Sequence, residues 1–217
     1  MAKGLQSRRR GAPAPRAWQR MLSGRRLDLL DPSALDIEIE DIAHGLARVA
    51  RWNGQTVGDH AFSVAQHSIV VEEIVAHIRP SLEPRWRLAA LLHDAPEYVI
   101  GDMISPFKTA LGLDYRRFEE TLETAIHIRF GLPARIPTEV KGLIKQADRA
   151  CAFFEATQLA GFSQAESLVL FGEPPGGYGL RIEPLPAAQA QERYLHRYQV
   201  LAEATGLVSG ATAFDTE

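Results

Sequence analysis

The chain is poor in cysteine, in long apolar runs and in phosphate-loop glycine spacing, and each shortage narrows what it can be. Cys151 is the one cysteine in 217 residues. No intrachain disulfide can therefore form, and a reducing compartment, the cytoplasm, fits. No apolar run is long enough to span a bilayer, so no membrane partner is expected. The Gly/Pro-rich stretch from Gly172 to Pro186 lacks the spacing of a P-loop and is given no nucleotide role. Acid is missing from the first 26 residues, which carry eight Lys or Arg. The rest then holds 16 basic against 27 acidic side chains, a balance of −11 hidden within a whole-chain charge of −3. An acidic body speaks against a broad nucleic-acid surface. Ser7-Arg8-Arg9-Arg10 resembles the start of a twin-arginine export signal, but the following Gly-Ala-Pro-Ala-Pro is no apolar core, so export is not expected. Residues 1–24 read as a flexible basic arm and residues 209–217 as a loose tail.

What is present is an ordinary globular composition, 46% apolar and 24% charged, enough for one domain with a sizeable core. The periodicity is helical. Asp41 can cap a helix to about Arg51, and Asp59 a long one over 60–78, with Val64, Val71, Ile74, Val75 and Ile78 as its apolar stripe. Pro84 suits the first turn of a helix reaching His93. Further helices are expected over 115–130, from Pro137 to about Leu159, and over 187–206. Residues 25–40 alternate loosely, as an extended segment or short edge strand would.

Candidate chemistry begins at Leu91-Leu92-His93-Asp94-Ala95-Pro96-Glu97, where an apolar run meets three groups that favour water. Pro96 should kink or restart the helix there. His67 lies on the apolar stripe of the preceding long helix. Asp148 shares an inward row with Ile144, Cys151 and Glu155. Buried carboxylates are costly unless paired or bound to metal. The two imidazoles and two carboxylates of His67, His93, Asp94 and Asp148 make an N2O2 set. That set suits one divalent transition ion (Mn, Fe, Co, Ni or Zn) better than Ca or Mg. Glu97 is placed to handle a proton on an attacking water.

The order His67…His93-Asp94…Asp148 resembles the signature of the HD-domain metal-dependent phosphohydrolases, over about residues 35–160. The likeness is nearest to their small 5′-deoxynucleotidase branch. It is carried by Arg51-Trp52 before the first His, Glu97 after the HD pair, Gly101-Asp102 followed by Pro106, and Lys145-Gln146-Ala147-Asp148. The resemblance implies an all-α HD-domain helical bundle over residues 25–208. It implies metal ligation by His67, His93, Asp94 and Asp148, with Asp94 and Glu97 as catalytic groups. Arg51 and Trp52 would contact substrate, and Asp102 would bind the sugar or order the site. The implied activity is release of phosphate from (deoxy)nucleoside 5′-monophosphates. No Lys/Arg cluster near the motifs offers to neutralise a triphosphate tail. Two readings stay open beside it: a deoxynucleoside triphosphate triphosphohydrolase, and a non-catalytic nucleotide-binding regulatory module. The expected partner is a small nucleotide, with a homodimer left open. His127 is the one histidine between the HD pair and Asp148, and reads as a helix-face residue.

Overall fold

The structure, a computed structural model, describes residues 17–103 and 113–206, with side chains from Arg116 onward in the second segment. The expectations for residues 1–16 and 209–217 fall outside it. The fold is all-α, with eight α-helices and one small hairpin among the described residues. None of these helices is long and apolar enough to cross a membrane.

The hairpin corrects the expected arm. Strands β1 (Trp18–Arg20) and β2 (Arg26–Asp28) pair antiparallel, with Gln19 opposite Leu27, so residues 17–24 are structured rather than a flexible extension. Basic composition suggested a solvated arm, but burial of Met21 and Leu27 in the core decides otherwise. The turn is pinned by Asp41, whose carboxylate accepts from the Ser23 backbone N–H at 2.9 Å and from its hydroxyl at 2.5 Å. Asp41 therefore holds the hairpin and does not cap its own helix, α1, which runs Ile39–Leu46 and stops short of Arg51.

Helix α2 (Val64–Ile78) is the central element, packed against α3 (Pro84–Leu91), α6 (Thr138–Gln158) and α8 (Ala187–Ala204). Val64, Val71, Ile74 and Val75 are buried as their spacing requires. Its cap is Ser63, whose hydroxyl accepts from the Gln66 N–H, and not Asp59. A bridge between Ala50 and Ser63 keeps residues just before the helix extended, which the local sequence does not encode. Buried Glu72 of α2 takes Arg87 at 2.7 Å and Arg197 at 2.6 Å, tying α2 to α3 and α8.

Pro84 and Pro137 sit at the starts of α3 and α6 as expected. Helix α3 ends at Leu91, and the chain turns through His93 and Asp94 before restarting as α4 (Glu97–Ile100) behind Pro96. Tyr194 of α8 donates its hydroxyl to the Leu91 carbonyl at 3.2 Å, fixing the start of that turn. Gly45 allows α1 to lie against α4, because a Cβ there would meet the Tyr98 backbone and Cβ at 2.8–3.1 Å. Helix α5 (Leu113–Arg129) ends one residue before Phe130, with Gly131 in the left-handed region. The short α7 (Gln164–Phe171) has no counterpart in the sequence reading, although Ser163 and Glu166 form a capping box before it.

Candidate metal centre

The three elements that carry the expected ligands meet. His67 on α2, the His93–Asp94 turn and Asp148 on α6 converge at one point. His67 Nε2 lies 3.4 Å from Asp94 Oδ2 and 3.4 Å from Asp148 Oδ1, and His93 Nε2 lies 3.2 Å from Asp94 Oδ2. The imidazole centroids are 5.3 Å apart.

Each histidine is oriented by its other nitrogen. His67 Nδ1 pairs with Glu155 Oε1 at 2.5 Å, and His93 Nδ1 donates to the Ala90 carbonyl at 2.9 Å. These bonds assign the proton to Nδ1 on His93 and leave both Nε2 atoms aimed at the carboxylates. Both Nε2 atoms are buried and neither has a hydrogen-bond partner among the described residues. Buried polar nitrogens are ordinarily satisfied. Two of them, facing two carboxylates, fit a cation that supplies the missing partner. Atoms of His67, His93 and Asp148 lie within 4.8 Å of one another, close enough to hold one metal ion. His67, His93 and Asp148 can therefore hold a metal ion, with Asp94 Oδ2 beside both imidazoles.

Glu155 was not among the expected site residues. It is fully buried on α6, seven residues beyond Asp148, on the same inward row. Besides His67 it accepts from Cys151 Sγ at 3.2 Å, Trp52 Nε1 at 2.7 Å and Arg51 Nε at 3.3 Å. Burial opposes its charge, but Arg51 and His67 outweigh that and lower its pKa to about 2. The signal that could have found it is an acid at a buried helical position. His67, Cys151 and Glu155 also lie close enough to hold an ion. In the metal-free protein burial pushes the Cys151 thiol up to about 12, and it donates to Glu155. The Glu155 oxygens are already taken by donors, and Arg51 supplies the cation there.

Arg51 and Trp52 lie behind the ligands, joined to them through Glu155. Arg51 Nη1 donates to Asp102 Oδ2 at 3.0 Å, so Asp102 orders Arg51. Burial works against the guanidinium, but Glu155, Asp102, Asp94 and Asp148 hold its pKa above the usual range. The Trp52 ring packs near Phe162 and Phe171, at centroid distances of 5.6 and 6.1 Å. Trp52 and Asn53 both adopt left-handed backbone angles, with φ of 56° and 51°. Such angles on non-glycine residues cost about 1–3 kcal/mol each and persist where the surroundings impose them. The indole–Glu155 bond is one such constraint.

A cavity of about 320 Å³ opens beside the ligands. Its lining includes His93, Asp94, Asp148, His127, Lys141 and Lys145. Two lysines therefore stand at the site, contrary to the expectation that no Lys/Arg cluster lies near the motifs. Lys145 Nζ bonds Asp148 Oδ2 at 2.7 Å. His127 is buried, and burial lowers its pKa despite the nearby Glu123. Glu97 is also buried, and its backbone N–H donates to the Asp94 carbonyl at 3.0 Å, but its side chain is not part of the cavity wall.

An uncharacterized protein of Rhodobacter capsulatus, RCAP_rcc00048, is 58% identical over 190 residues, covering 86% of this chain and 96% of that protein. The chain belongs to its family. The uncharacterized protein YfdR of Escherichia coli K12 is 30% identical over 168 residues, covering 77% of this chain and 86% of YfdR. Neither relative's name carries an activity, and no family model matches the chain.

Charge at the site sets a pH expectation. Burial and Arg51 oppose an imidazolium at His67, but Glu155 and Asp148 outweigh them and hold its pKa well above the usual range. Burial also opposes charge on Asp94 and Asp148, yet the two histidines hold both carboxyls well below theirs. In the metal-free protein, His67 thus contributes stability that is fully present below roughly pH 6.5 and lost as pH rises through its raised value. Asp94, Asp148 and Glu155 contribute stability present above roughly pH 4.5 and lost as pH falls through their lowered values. Ligation at Nε2 requires neutral His67, so metal binding at a pH below its raised pKa should release up to one proton from it. Calorimetry in buffers of different ionisation enthalpy measures that number, and a value of zero contradicts the assignment.

Proposed function

We propose that the protein is a metal-dependent phosphohydrolase acting on nucleotides. The observation that carries this reading is the convergence of two oriented imidazole Nε2 atoms and two carboxylates at the edge of a cavity with lysines on its wall. His67, His93, Asp94 and Asp148 would hold a divalent ion, which would supply Lewis-acid polarisation of a phosphoryl oxygen and lower the pKa of water.

The chain's own residues do the rest. Glu155 and Ala90 orient the two imidazoles through their Nδ1 atoms. Glu97 would take a proton from the attacking water as the water oxygen bonds phosphorus, and that proton would pass to the leaving oxygen as its P–O bond breaks. Lys145, already on Asp148, lies within reach of anionic oxygens entering the cavity. Arg51 keeps the buried acids charge-balanced from behind, with Asp102 as its second partner. The resemblance to the HD-domain 5′-deoxynucleotidases supports the nucleotide class and the monophosphate as the simplest substrate. Lys141 and Lys145 on the cavity wall favour the second reading, a substrate with a longer phosphate chain.

The test is release of phosphate or polyphosphate across nucleoside mono-, di- and triphosphates, each with Mn, Co, Ni, Zn and Mg. Turnover of at least one nucleotide, dependent on a transition metal and abolished in Asp94→Ala, is expected. No turnover of any nucleotide under any metal removes the enzymatic reading and leaves the regulatory module.

A further inference from the structure

Helix α6 turns Asp148 toward the ligand cluster, and it also carries Lys141, Lys145 and Arg149 at steps of four residues. That step stacks the three cations along one side of the helix, about 6 Å apart along its axis. Lys141 and Lys145 border the cavity beside His93, Asp94 and Asp148. Lys145 and Arg149 border a second hollow of about 430 Å³, which Phe171, Gly172 and Pro175 also line. Lys145 belongs to both walls, so the two hollows adjoin along α6. The acids facing this row are Asp148, which holds Lys145, with Glu123 in the first hollow and Glu173 in the second. Among the described residues, Lys141 and Arg149 have no acidic partner within ion-pair distance. Like charges at steps of four repel one another unless an anion lies between them.

We propose that the Lys141–Lys145–Arg149 row binds the phosphate chain of a nucleotide carrying more than one phosphate. The row holds the phosphates other than the one at the His67–His93–Asp94–Asp148 cluster. This rests on the metal-centred reading above and deepens it, naming nucleoside di- and triphosphates as the substrate class in preference to monophosphates. A short oligophosphate suits the row better than a nucleic-acid strand. The cations number three, and the chain beyond residue 26 carries a balance of −11 that repels a long polyanion.

The experiment is calorimetric titration of the full-length, metal-loaded protein with inorganic tripolyphosphate and with orthophosphate, with metal content checked before and after. The variants are Lys141→Ala, Arg149→Ala and their combination, all at exposed positions. Arg85→Ala, outside both hollows, controls for lost charge in general. Tripolyphosphate should bind at least about tenfold more tightly than orthophosphate, and each α6 substitution should weaken it by about tenfold. Orthophosphate affinity should not change, and Arg85→Ala should match the parent. Equal affinity for the two anions overturns the proposal, as does unchanged tripolyphosphate binding in the double variant. Displacement of tripolyphosphate by lower concentrations of a 5′-phosphorylated single-stranded oligonucleotide, dependent on the same side chains, also overturns it in favour of a nucleic-acid site. The readout is anion binding, so it is independent of turnover. Loss of the nucleotide reading in the release screen, with tripolyphosphate still bound through Lys141 and Arg149, removes the catalytic claim alone.

Discussion

Glu155→Ala should destabilise the protein by about 3–5 kcal/mol, the usual cost of removing one partner of a buried charge pair. For a chain of this size that lowers the melting temperature by roughly 6–20 °C. The magnitude follows from what one fully buried carboxylate holds. It takes His67 Nδ1, Cys151 Sγ, Trp52 Nε1 and Arg51 Nε on its two oxygens. Removing it leaves Arg51 with Asp102 as its one remaining hydrogen-bonded carboxylate, and leaves the indole N–H without its acceptor. The same change frees the His67 ring, so metal affinity should fall about 10–100-fold, as for other residues that orient a ligand from behind. Glu155→Gln is the sharper variant. Its amide keeps the shape but must turn N–H groups toward donors, at His67 and Cys151 or at Trp52 and Arg51. It should lose metal affinity with a smaller fall in melting temperature. Thermal melts paired with metal titration separate the two effects. Unchanged metal affinity in both variants would show that Glu155 serves the fold alone.

Glu97→Ala should keep its metal and lose about 10²–10⁴ in turnover, the usual worth of a general acid–base group. Glu97 starts α4 one turn after Asp94, with its side chain buried and its backbone bonded to the Asp94 carbonyl. Pro96 restarts the helix at this point and makes Glu97 the first residue of α4. Metal content and kcat for the leading nucleotide of the release screen check the prediction together. Loss of metal as complete as in Asp94→Ala makes Glu97 a ligand. Turnover that merely tracks the folded fraction makes it structural.

His67 and Asp148 were legible in the sequence as inward polar residues because their signal is local. Polar side chains on otherwise apolar helical rows, His67 between Val64 and Val71 and Asp148 near Ile144 and Cys151, reveal an inward polar atom without any knowledge of tertiary contacts. The helix starts at Pro84 and Pro137 are equally local, because a proline at the first turn costs no backbone donor. The rest depended on contacts distant in sequence. Asp59 and Ser63 are both competent caps, and the bridge from Ser63 to Ala50 chooses between them. Arginines around Trp18 suggested a solvated arm, whereas Met21 and Leu27 anchor a hairpin that Asp41 holds from 18 residues away. Glu155 stood on a visible inward row, but its role depends on left-handed Trp52 and Asn53 folding back over it. Lys141 carried no local signal, and the packing of α6 against the other site elements puts it at the cavity with Lys145.

The most direct test of the central claim is metal content. Elemental analysis of the protein after reconstitution and desalting should give one equivalent of a divalent transition metal per chain in the parent, and close to none in His93→Ala and Asp148→Ala. Full occupancy in both variants, or none in the parent under any metal, contradicts a single site built from His67, His93, Asp94 and Asp148.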